Sequence, residues 1–348
     1  MSQCRVSIVI PHLKDLEILK DCLTSIYNSD FLDFEVILVD NASTDGSSQA
    51  VVKDFPDVRC IRLVKNLGYA GGCNVGIEAS KAEFVLLLND DAVIEPNTIG
   101  DLVAALEADS QVAAAQPKLL NIKTPTHFDY AGACGGLIDI FGYPFAFGRT
   151  FMVLEKDEGQ FDTPSEIFWA CGTCVIFRRS ILSEVGLLDE DFFAHMEEID
   201  LAWRIHLAGY KLIRVPQAVV YHFSGHTLPN TQSSKMYLNH RNSIVCLLKN
   251  YQWAQLVWIL PLRIVLEWGT IIASFLRGDF RRGPAALKVQ LFLPILLYKS
   301  LSKRSGIQKL RRVSDRQIMK KMYWGSVVFQ HFVFGKTKTA QILHQNEL

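Results

Sequence analysis

The sequence lacks several features that would place it in a simple class. Its 348 residues carry 36 basic and 36 acidic side chains, so the formal net charge is zero and no overall basicity marks it as a nucleic-acid-binding protein. No run of about twenty apolar residues is free of charge and proline, which disfavours a simple transmembrane helix. No secretory signal is visible, because Met1–Arg5 leads directly into a predicted strand.

The cysteines form no framework. All eight are scattered, which indicates a reducing compartment rather than a disulfide-stabilised fold. Cys171 and Cys174 make the only Cys-x-x-Cys pattern, and neither a second pair nor a suitably spaced histidine accompanies it. Small residues at tight packing positions explain this pattern better than a zinc or redox site does, although those alternatives stay open.

Familiar phosphate-binding loops are also missing. The glycine-rich segment Asn66–Gly76 matches neither the GxGxxG nor the GxxxxGK[ST] pattern, so dinucleotide-binding and P-loop interpretations are both weak. Taken alone, the segment is typical of turn chemistry. We predict a glycine-rich loop that runs into a helix.

What is present is an alternation of strands and helices. Buried strands are predicted at Val6–Ile10, Glu35–Val39, Val58–Val64 and Phe84–Leu88. Helical patterns separate them, so the sequence predicts an α/β fold with a mostly parallel sheet. Residues 118–165 break the pattern, and we interpret them as a long, partly ordered excursion that shapes a substrate pocket.

Acidic side chains follow two of these strands. Asp40 ends the second strand, and Asn89, Asp90 and Asp91 end the fourth. Because ligands of open α/β sheets bind at the carboxyl ends of the strands, these positions predict a nucleotide site. Two adjacent acids repel each other unless a cation or a polyhydroxyl ligand shares them. An Asp-rich turn with a helix cap is the alternative for Asp90 and Asp91.

A second group of candidate residues lies downstream. A helix is predicted from Asp191 to Gly209, with Glu197 and Glu198 in its first turn, where a helix dipole alone would favour acids. A strand over residues 211–221 then stops at His222. A metal ligand and a polar boundary residue are both open for this histidine.

The carboxyl-terminal part is basic and apolar. From Arg277 to Leu348 there are fifteen Lys and Arg against three Asp and Glu, a net charge of +12. Trp253–Leu276 and Ala285–Tyr298 are apolar but contain charges and prolines. Such segments with basic flanks suit helices that lie in a membrane interface, which predicts membrane contact through residues 250–305 and no nucleic acid. A helical subdomain packed on the core or on a second subunit is the alternative.

In order and spacing, these pieces resemble the nucleotide-sugar glycosyltransferases of family 2, which share the GT-A fold. The matching segments are Ser7–Pro11, Val39–Gly46, Asn66–Asn74, Leu87–Asp91, and Glu197–Leu201 with Gly209, Tyr210 and His222. They cover roughly residues 5–245 and resemble the bacterial rhamnosyltransferase-like branch most. The resemblance implies a GT-A domain over residues 1–245 and a helical, membrane-associating region over residues 246–348.

The resemblance also implies roles for individual residues. The donor nucleotide would be held by Pro11, Asp40, Asn41, Asn66, Gly68, Asn74 and Asp90. Asn89, Asp90 and Asp91 fill the DxD-like position, so Mg²⁺ or Mn²⁺ would be held by Asp91, His222 and Asn89. Glu198 occupies the position of the catalytic base, and Glu197 beside it could share or take that role.

The expected function is therefore an inverting, metal-dependent glycosyltransferase. Its donor would be a dTDP-, UDP- or GDP-sugar, with dTDP-rhamnose implied first, and its acceptor a lipid-linked or surface glycan. We expect it in the cytoplasm, peripheral at the inner face of the cell membrane, with a homo-oligomer left open. A nucleotidyltransferase is disfavoured because Pro11–Lys14 lacks a basic glycine-rich signature. The other alternative is a non-catalytic sugar-nucleotide-binding or assembly protein.

Overall fold

A computed structural model describes residues 4–224 and 233–343, and its centre is one large mixed sheet. The strands are β1 (Val6–His12), β2 (Phe34–Asp40), β3 (Arg59–Arg62), β4 (Phe84–Leu88), β5 (Ala92–Ile94), β6 (Val112–Asn121), β7 (Thr124–Phe128), β8 (Gly136–Ile138), β9 (Pro144–Ala146), β10 (Arg149–Thr150), β11 (Val153–Leu154), β12 (Ser165–Ile167), β13 (Cys174–Arg178) and β14 (Lys211–His222). Strands β8–β11 form a separate small sheet, and the others form the central one.

Helices cover both the sheet and the carboxyl-terminal part. They are α1 (Leu16–Tyr27), α2 (Ser47–Asp54), α3 (Gly68–Ala79), α4 (Thr98–Ala108), α5 (Arg179–Val185), a 3-10 helix (Glu190–Phe192), α6 (Glu197–Leu207), α7 (Ser233–Asn250), α8 (Trp253–Leu276), α9 (Arg282–Leu291), α10 (Leu293–Lys309), α11 (Asp315–Met319), α12 (Val327–Phe332) and α13 (Thr339–Ile342).

The sheet confirms the predicted α/β class. Its strand order is β12-β14-β6-β13-β4-β1-β2-β3, with β5 beside β14 and β7 beside β6. Strand β1 pairs in parallel with β2 and β4, and β13 runs antiparallel to β4 and β6. All five residues of β4 are buried, as expected for a central strand covered on both faces. Asp40, Asp90 and Asp91 therefore lie at one edge of the same sheet, as predicted.

Three predictions about local structure were wrong. The glycine-rich segment is mostly helical, since α3 already begins at Gly68. Its glycines are needed for close packing: a Cβ on Gly76 would lie 2.2 Å from Cγ1 of Val9. The excursion over residues 118–165 is an ordered region, in which β6 extends to Asn121 and the small sheet follows.

The third wrong prediction concerns the helix expected from Asp191. The chain forms a short 3-10 helix there, and α6 begins only at Glu197. Phe193, His195 and Met196 between them have φ values of 64°, 70° and 73°. A right-handed helix cannot pass through such residues, so the helical pattern is interrupted just before the two glutamates.

The carboxyl-terminal segment packs back onto the amino-terminal part. Tyr323 exchanges backbone hydrogen bonds with Ile138 and Ile140 next to the small sheet, at 2.9 and 3.1 Å. Helix α7 crosses residue 245, so the predicted domain boundary falls inside a continuous helix. Whether residues 1–245 fold independently stays a prediction.

Helix α8 has one face toward the protein and one toward solvent. Within the described ranges it is the single helix that meets the length and composition of a membrane span, and 28% of its most apolar stretch is buried. Arg263 and Glu267, its two charged residues, lie on the buried face and pair with each other. The exposed face is thus free of charge.

Candidate active site

The ends of β1 and β2 meet the start of α3. The Asn41 amide donates to the Gly68 carbonyl at 2.9 Å and accepts from the Leu67 N–H at 2.8 Å. A Cβ on Gly72 would lie 3.3 Å from both Asn41 Nδ2 and Pro11 Cβ, so α3 packs tightly against these two residues. The predicted donor residues Pro11, Asn41 and Gly68 are therefore brought together, and we call this part of the site the donor side.

Asp40 organises the loop that follows β2. Its buried carboxylate accepts hydrogen bonds from the Ser48 hydroxyl at 2.5 Å, the Ser43 N–H at 2.7 Å and the Arg62 guanidinium at 3.0 Å. Burial alone would raise the pKa of Asp40, but these donors lower it. The loop is thus tied by three hydrogen bonds to a carboxylate whose charged form is favoured, which suits a preformed pocket.

Asn66 and Asn74 lie at the start and in the middle of the α3 segment. The Asn66 side chain accepts from the Gly68 N–H at 2.7 Å, which satisfies an N–H at the start of the helix. Asn74 donates to the Leu188 carbonyl at 2.8 Å and accepts from the Leu188 N–H at 3.1 Å. Asn74 thereby connects the donor side to the segment before α6, and its predicted contact with the nucleotide stays a prediction.

The predicted metal ligands Asp91 and His222 face each other after β4 and at the end of β14. Asp91 Oδ1 lies 3.0 Å from His222 Nε2, and Asp129 Oδ1 lies 2.8 Å from His222 Nδ1. Two adjacent ligands of an octahedral Mg²⁺ are about 3 Å apart, so this spacing fits a shared cation. A carboxylate behind the second ring nitrogen is the usual support of a metal-binding histidine.

The remaining residues of the DxD-like segment diverge. Asn89 Nδ2 is 3.4 Å from His222 Nε2, so Asn89 lies beside the two ligands. Asp90 points the other way, with Oδ2 2.7 Å from His12 Nδ1, toward the donor side. In the part of the chain that the structure describes, no group of three His, Cys, Asp or Glu side chains is arranged to hold a metal ion. A cation here would need the donor phosphates as further ligands, as is common for Mg²⁺.

Glu197 and Glu198 form a pair of interacting carboxyl groups at the start of α6. Burial, followed by the neighbouring Glu198 charge, raises the pKa of Glu197 well above its usual range. Burial also raises the pKa of Glu198, to about 7, against hydrogen bonds from the Glu198 and Met196 N–H groups. Glu198 is the more exposed of the two, which makes it the better candidate for proton transfer to or from a ligand.

The loop before these glutamates is held from two sides. The Asn242 amide of α7 faces the carbonyls of Phe192, Ala194 and His195 at 3.2, 3.0 and 2.6 Å. On the other side, a Cβ on Gly68 would lie 2.4 Å from the Phe193 carbonyl oxygen. The donor side and the glutamate pair therefore share one contact, which fixes their relative position.

Sequence reasoning missed Asp129, Arg149 and Asn242. Asp129 orients His222, Asn242 holds the loop before Glu197, and the Arg149 charge acts on Glu198. Asp129 and Arg149 lie in the region without a periodic pattern, so no strand or helix signal pointed to them. The predicted packing role of the Cys171–Cys174 pattern fits the structure, because both thiols are buried and free.

The comparison with known families decides the assignment. The family model described as "Glycosyl transferase family 2" matches residues 7–186, more than half of the chain. This chain belongs to glycosyltransferase family 2. It is a nucleotide-sugar glycosyltransferase, and the matched range includes the donor side, Asp91 and Asp129.

Relatives of this family-2 enzyme include named transferases. The N-acetylglucosaminyl-diphospho-decaprenol L-rhamnosyltransferase of Mycobacterium tuberculosis is 30% identical over 268 residues, covering 71% of this chain and 86% of the relative. The O-antigen biosynthesis protein RfbC of Myxococcus xanthus is 26% identical over 229 residues, covering 63% of this chain and 17% of the relative. The predicted resemblance to the rhamnosyltransferase-like branch is thereby confirmed.

Solved structures confirm the GT-A fold of this family-2 enzyme. GalNAc-T7 with UDP, GalNAc and Mn²⁺ superimposes with a TM-score of 0.57 at 16% identity, covering 71% of this chain and 48% of that one. Residues 1–349 of S. aureus TarS give a TM-score of 0.54 at 15% identity, covering 92% and 93%. At such low identity the likeness concerns the fold alone.

The Asp91–His222 pair leads us to predict that metal binding releases a proton. Burial alone would lower the pKa of His222, but Asp91 and Asp129 outweigh it and raise the pKa to about 10. The imidazole is therefore protonated at pH 7.5, whereas a metal ligand must be neutral. We expect Mn²⁺ binding at pH 7.5 to release about one proton per ion, measured by calorimetry in buffers of different ionisation enthalpy. Proton release that is unchanged in His222→Gln would show that His222 is not a ligand.

Proposed function

We propose that this protein is an inverting, metal-dependent glycosyltransferase that moves a sugar from a nucleotide-sugar donor to a hydroxyl of a lipid-linked acceptor. One observation carries the proposal: Glu198, a carboxyl group with a pKa near 7, follows a loop that contacts the donor side at Gly68, and an Asp91–His222 pair lies where β4 and β14 end. The mycobacterial relative is named for transfer of L-rhamnose to a diphospho-decaprenol-linked sugar, which supports dTDP-rhamnose as donor and a lipid-linked acceptor.

The donor would lie along the carboxyl edge of the sheet. Pro11, Asn41 and the start of α3 form its base and ribose side, and Asp90 faces that side with His12 behind it. Asp91 and His222 would hold Mg²⁺ or Mn²⁺, which when bound supplies positive charge next to the leaving diphosphate. These residues orient the donor so that its anomeric carbon is exposed to attack.

Glu198 would act as the general base. A carboxylate with a pKa near 7 is well matched to removing a proton from an acceptor hydroxyl at neutral pH. The raised pKa of Glu197 favours its neutral form, and a side-chain hydrogen bond from Glu197 lowers the pKa of Glu198, so Glu197 stabilises the Glu198 carboxylate rather than competing for the proton. One direct displacement by the acceptor oxygen inverts the anomeric carbon, and no nucleophilic carboxylate is required, unlike in retaining hydrolysis.

The proposal is tested by offering the purified protein dTDP-rhamnose and a panel of UDP- and GDP-sugars with Mn²⁺ or Mg²⁺. Release of nucleoside diphosphate from one donor, abolished by EDTA, is expected.

Glu198→Gln is expected to keep donor affinity and to lower kcat by about 100-fold or more, because a general base is lost. Asp91→Ala should instead lose metal-dependent donor binding. Glu184→Gln on the surface helix α5 serves as a control.

Other outcomes would contradict the proposal in distinct ways. Binding of every donor without turnover, even with a lipid-linked acceptor, would favour the non-catalytic alternative. Full activity of Glu198→Gln would place the base elsewhere, and Glu197→Gln would then be the next variant. Undiminished turnover in EDTA would contradict the metal requirement.

We further propose that α8 and α10 lie in the interface of the cytoplasmic membrane leaflet, which would place the enzyme at the inner face of the cell membrane. The outer face of α8 exposes Val265, Trp268 and Ile272 at 66%, 47% and 57%. The buried face carries Arg263 and Glu267, which contact the catalytic part through the Phe141 carbonyl and His240. A helix with charges turned to the protein and an apolar outer face suits an in-plane orientation.

Vesicle binding checks this orientation. Trp268→Ser combined with Ile272→Ser removes two apolar side chains and is expected to weaken partition into vesicles containing anionic lipid by about tenfold or more. Flotation of the full chain measures this. Leu32→Ser, at a residue that is 81% exposed in the catalytic part, is the matched control and should float like the wild type. Equal flotation of all three proteins would contradict the orientation.

A further inference from the structure

Two basic side chains lie against one aromatic ring at the active site. The guanidinium carbon of Arg149 is 4.9 Å from the ring centroid of Tyr130, and Lys235 Nζ is 5.3 Å from the same centroid. Tyr130 directly follows Asp129, which orients His222. The cluster of Arg149, Lys235 and Tyr130, which we call the cationic cluster, is thus built from three separate parts of the chain.

Arg149 is a buried cation that makes no ion pair with any described residue. It is only 8% exposed, and within residues 4–224 and 233–343 no carboxylate lies within ion-pair distance. Its Nε has no hydrogen-bond partner there, and one terminal nitrogen makes a long contact of 3.4 Å to the Phe151 carbonyl. Because burying an unpaired charge is costly, this arrangement indicates that an anionic ligand completes the site.

The charges of the cationic cluster act on the base and on the loop before it. The Arg149 charge acts on Glu198, and the Lys235 charge acts on His195, whose buried Nε2 has no partner among the described residues. In a direct displacement the base and the acceptor approach the anomeric carbon from the side opposite to the leaving diphosphate. Groups that lie beside Glu198 therefore face the acceptor, whereas Asp91 and His222 face the donor phosphates.

We propose that Arg149 and Lys235, placed on Tyr130, bind the diphosphate that links the acceptor sugar to its lipid. This inference rests on the proposed function, because it assumes that Glu198 marks the acceptor side. A sugar–diphosphate–lipid carries two negative charges, which two cations neutralise. The guanidinium group offers paired N–H donors that match phosphate oxygens, and the lysine adds a point charge. A phosphate-free acceptor sugar would bring no negative charge to the buried Arg149 guanidinium.

The test compares two acceptors that carry the same sugar. One is a short-chain prenyl diphosphate-linked N-acetylglucosamine, and the other is an alkyl N-acetylglucosaminide without phosphate. Arg149→Gln and Lys235→Gln are expected to raise KM for the diphosphate acceptor by about 10- to 100-fold, the loss typical of a hydrogen bond to a charged group. KM for the alkyl glycoside should change by less than about twofold. Arg149→Lys should recover part of the loss.

Controls distinguish a local effect on acceptor binding from unfolding of the variants and from a change in donor affinity. Arg312→Gln, which removes a surface ion pair with Glu184, should match the wild type on both acceptors. Melting temperatures of all variants report whether they fold. An equal rise of KM for both acceptors would overturn the inference. So would a loss of affinity for the nucleoside diphosphate with Mn²⁺, because the cations would then serve the donor.

A direct binding measurement makes the inference independent of turnover. Failure of the wild type to transfer sugar to either acceptor would contradict the proposed function. Affinity for the prenyl diphosphate probe, measured by calorimetry on the full chain, then decides the inference alone. Weaker binding by Arg149→Gln supports it, and equal binding by the variant and the wild type overturns it.

Discussion

The loop before α6 is held between Asn242 of α7 and Gly68 of α3, and these two contacts determine most of the site geometry. Phe193, His195 and Met196 adopt left-handed backbone conformations, which cost about 1–3 kcal/mol each for residues other than glycine. The Asn242 amide and the close contact at Gly68 hold this loop in place. As a result, α6 begins with two adjacent carboxyl groups, and their distance from the donor side is set by the fold.

The site contains two pairs of acidic residues, Asp91 with Asp129 and Glu197 with Glu198, which lie in different electrostatic surroundings. Asp91 and Asp129 share His222, whose pKa they raise to about 10, and the His222 contact lowers the pKa of Asp129. Burial raises the pKa of both Glu197 and Glu198, to about 7 for Glu198, and the Arg149 charge opposes this rise at Glu198 only in part. The first arrangement suits a cation and the second suits proton transfer, and both are produced by packing around one sheet edge.

The carboxyl-terminal helices are part of this arrangement. Asn242 and Arg241 of α7 hold the loop before α6, and Lys303 of α10 pairs with Asp189 and Asp191 on the same segment. A helix proposed to contact the membrane is therefore connected to the glutamate pair by a short chain of polar contacts. The carboxyl-terminal helices and the segment that carries the glutamate pair are therefore held together by this packing.

The sequence alone was sufficient for the parallel core and for residues at strand ends. Asp40, Asp91 and His222 follow periodic strands, so their shared edge could be predicted. Asp129 and Arg149 could not, because they belong to short strands and turns whose positions depend on tertiary pairing. The helical state of the Gly68–Gly76 segment was also missed, since Gly72 and Gly76 serve close contacts with Pro11 and Val9 of β1 rather than a turn.

The central claim is that the buried glutamate pair supplies a base with a pKa near 7. It is tested most directly by the pH dependence of kcat/KM for the wild type, which reports ionisations of the free enzyme. Because the raised pKa keeps Glu198 protonated in acid, the account predicts that kcat/KM rises with pH and levels off above about pH 7. A profile that is flat from pH 5 to pH 9 in this assay would contradict it.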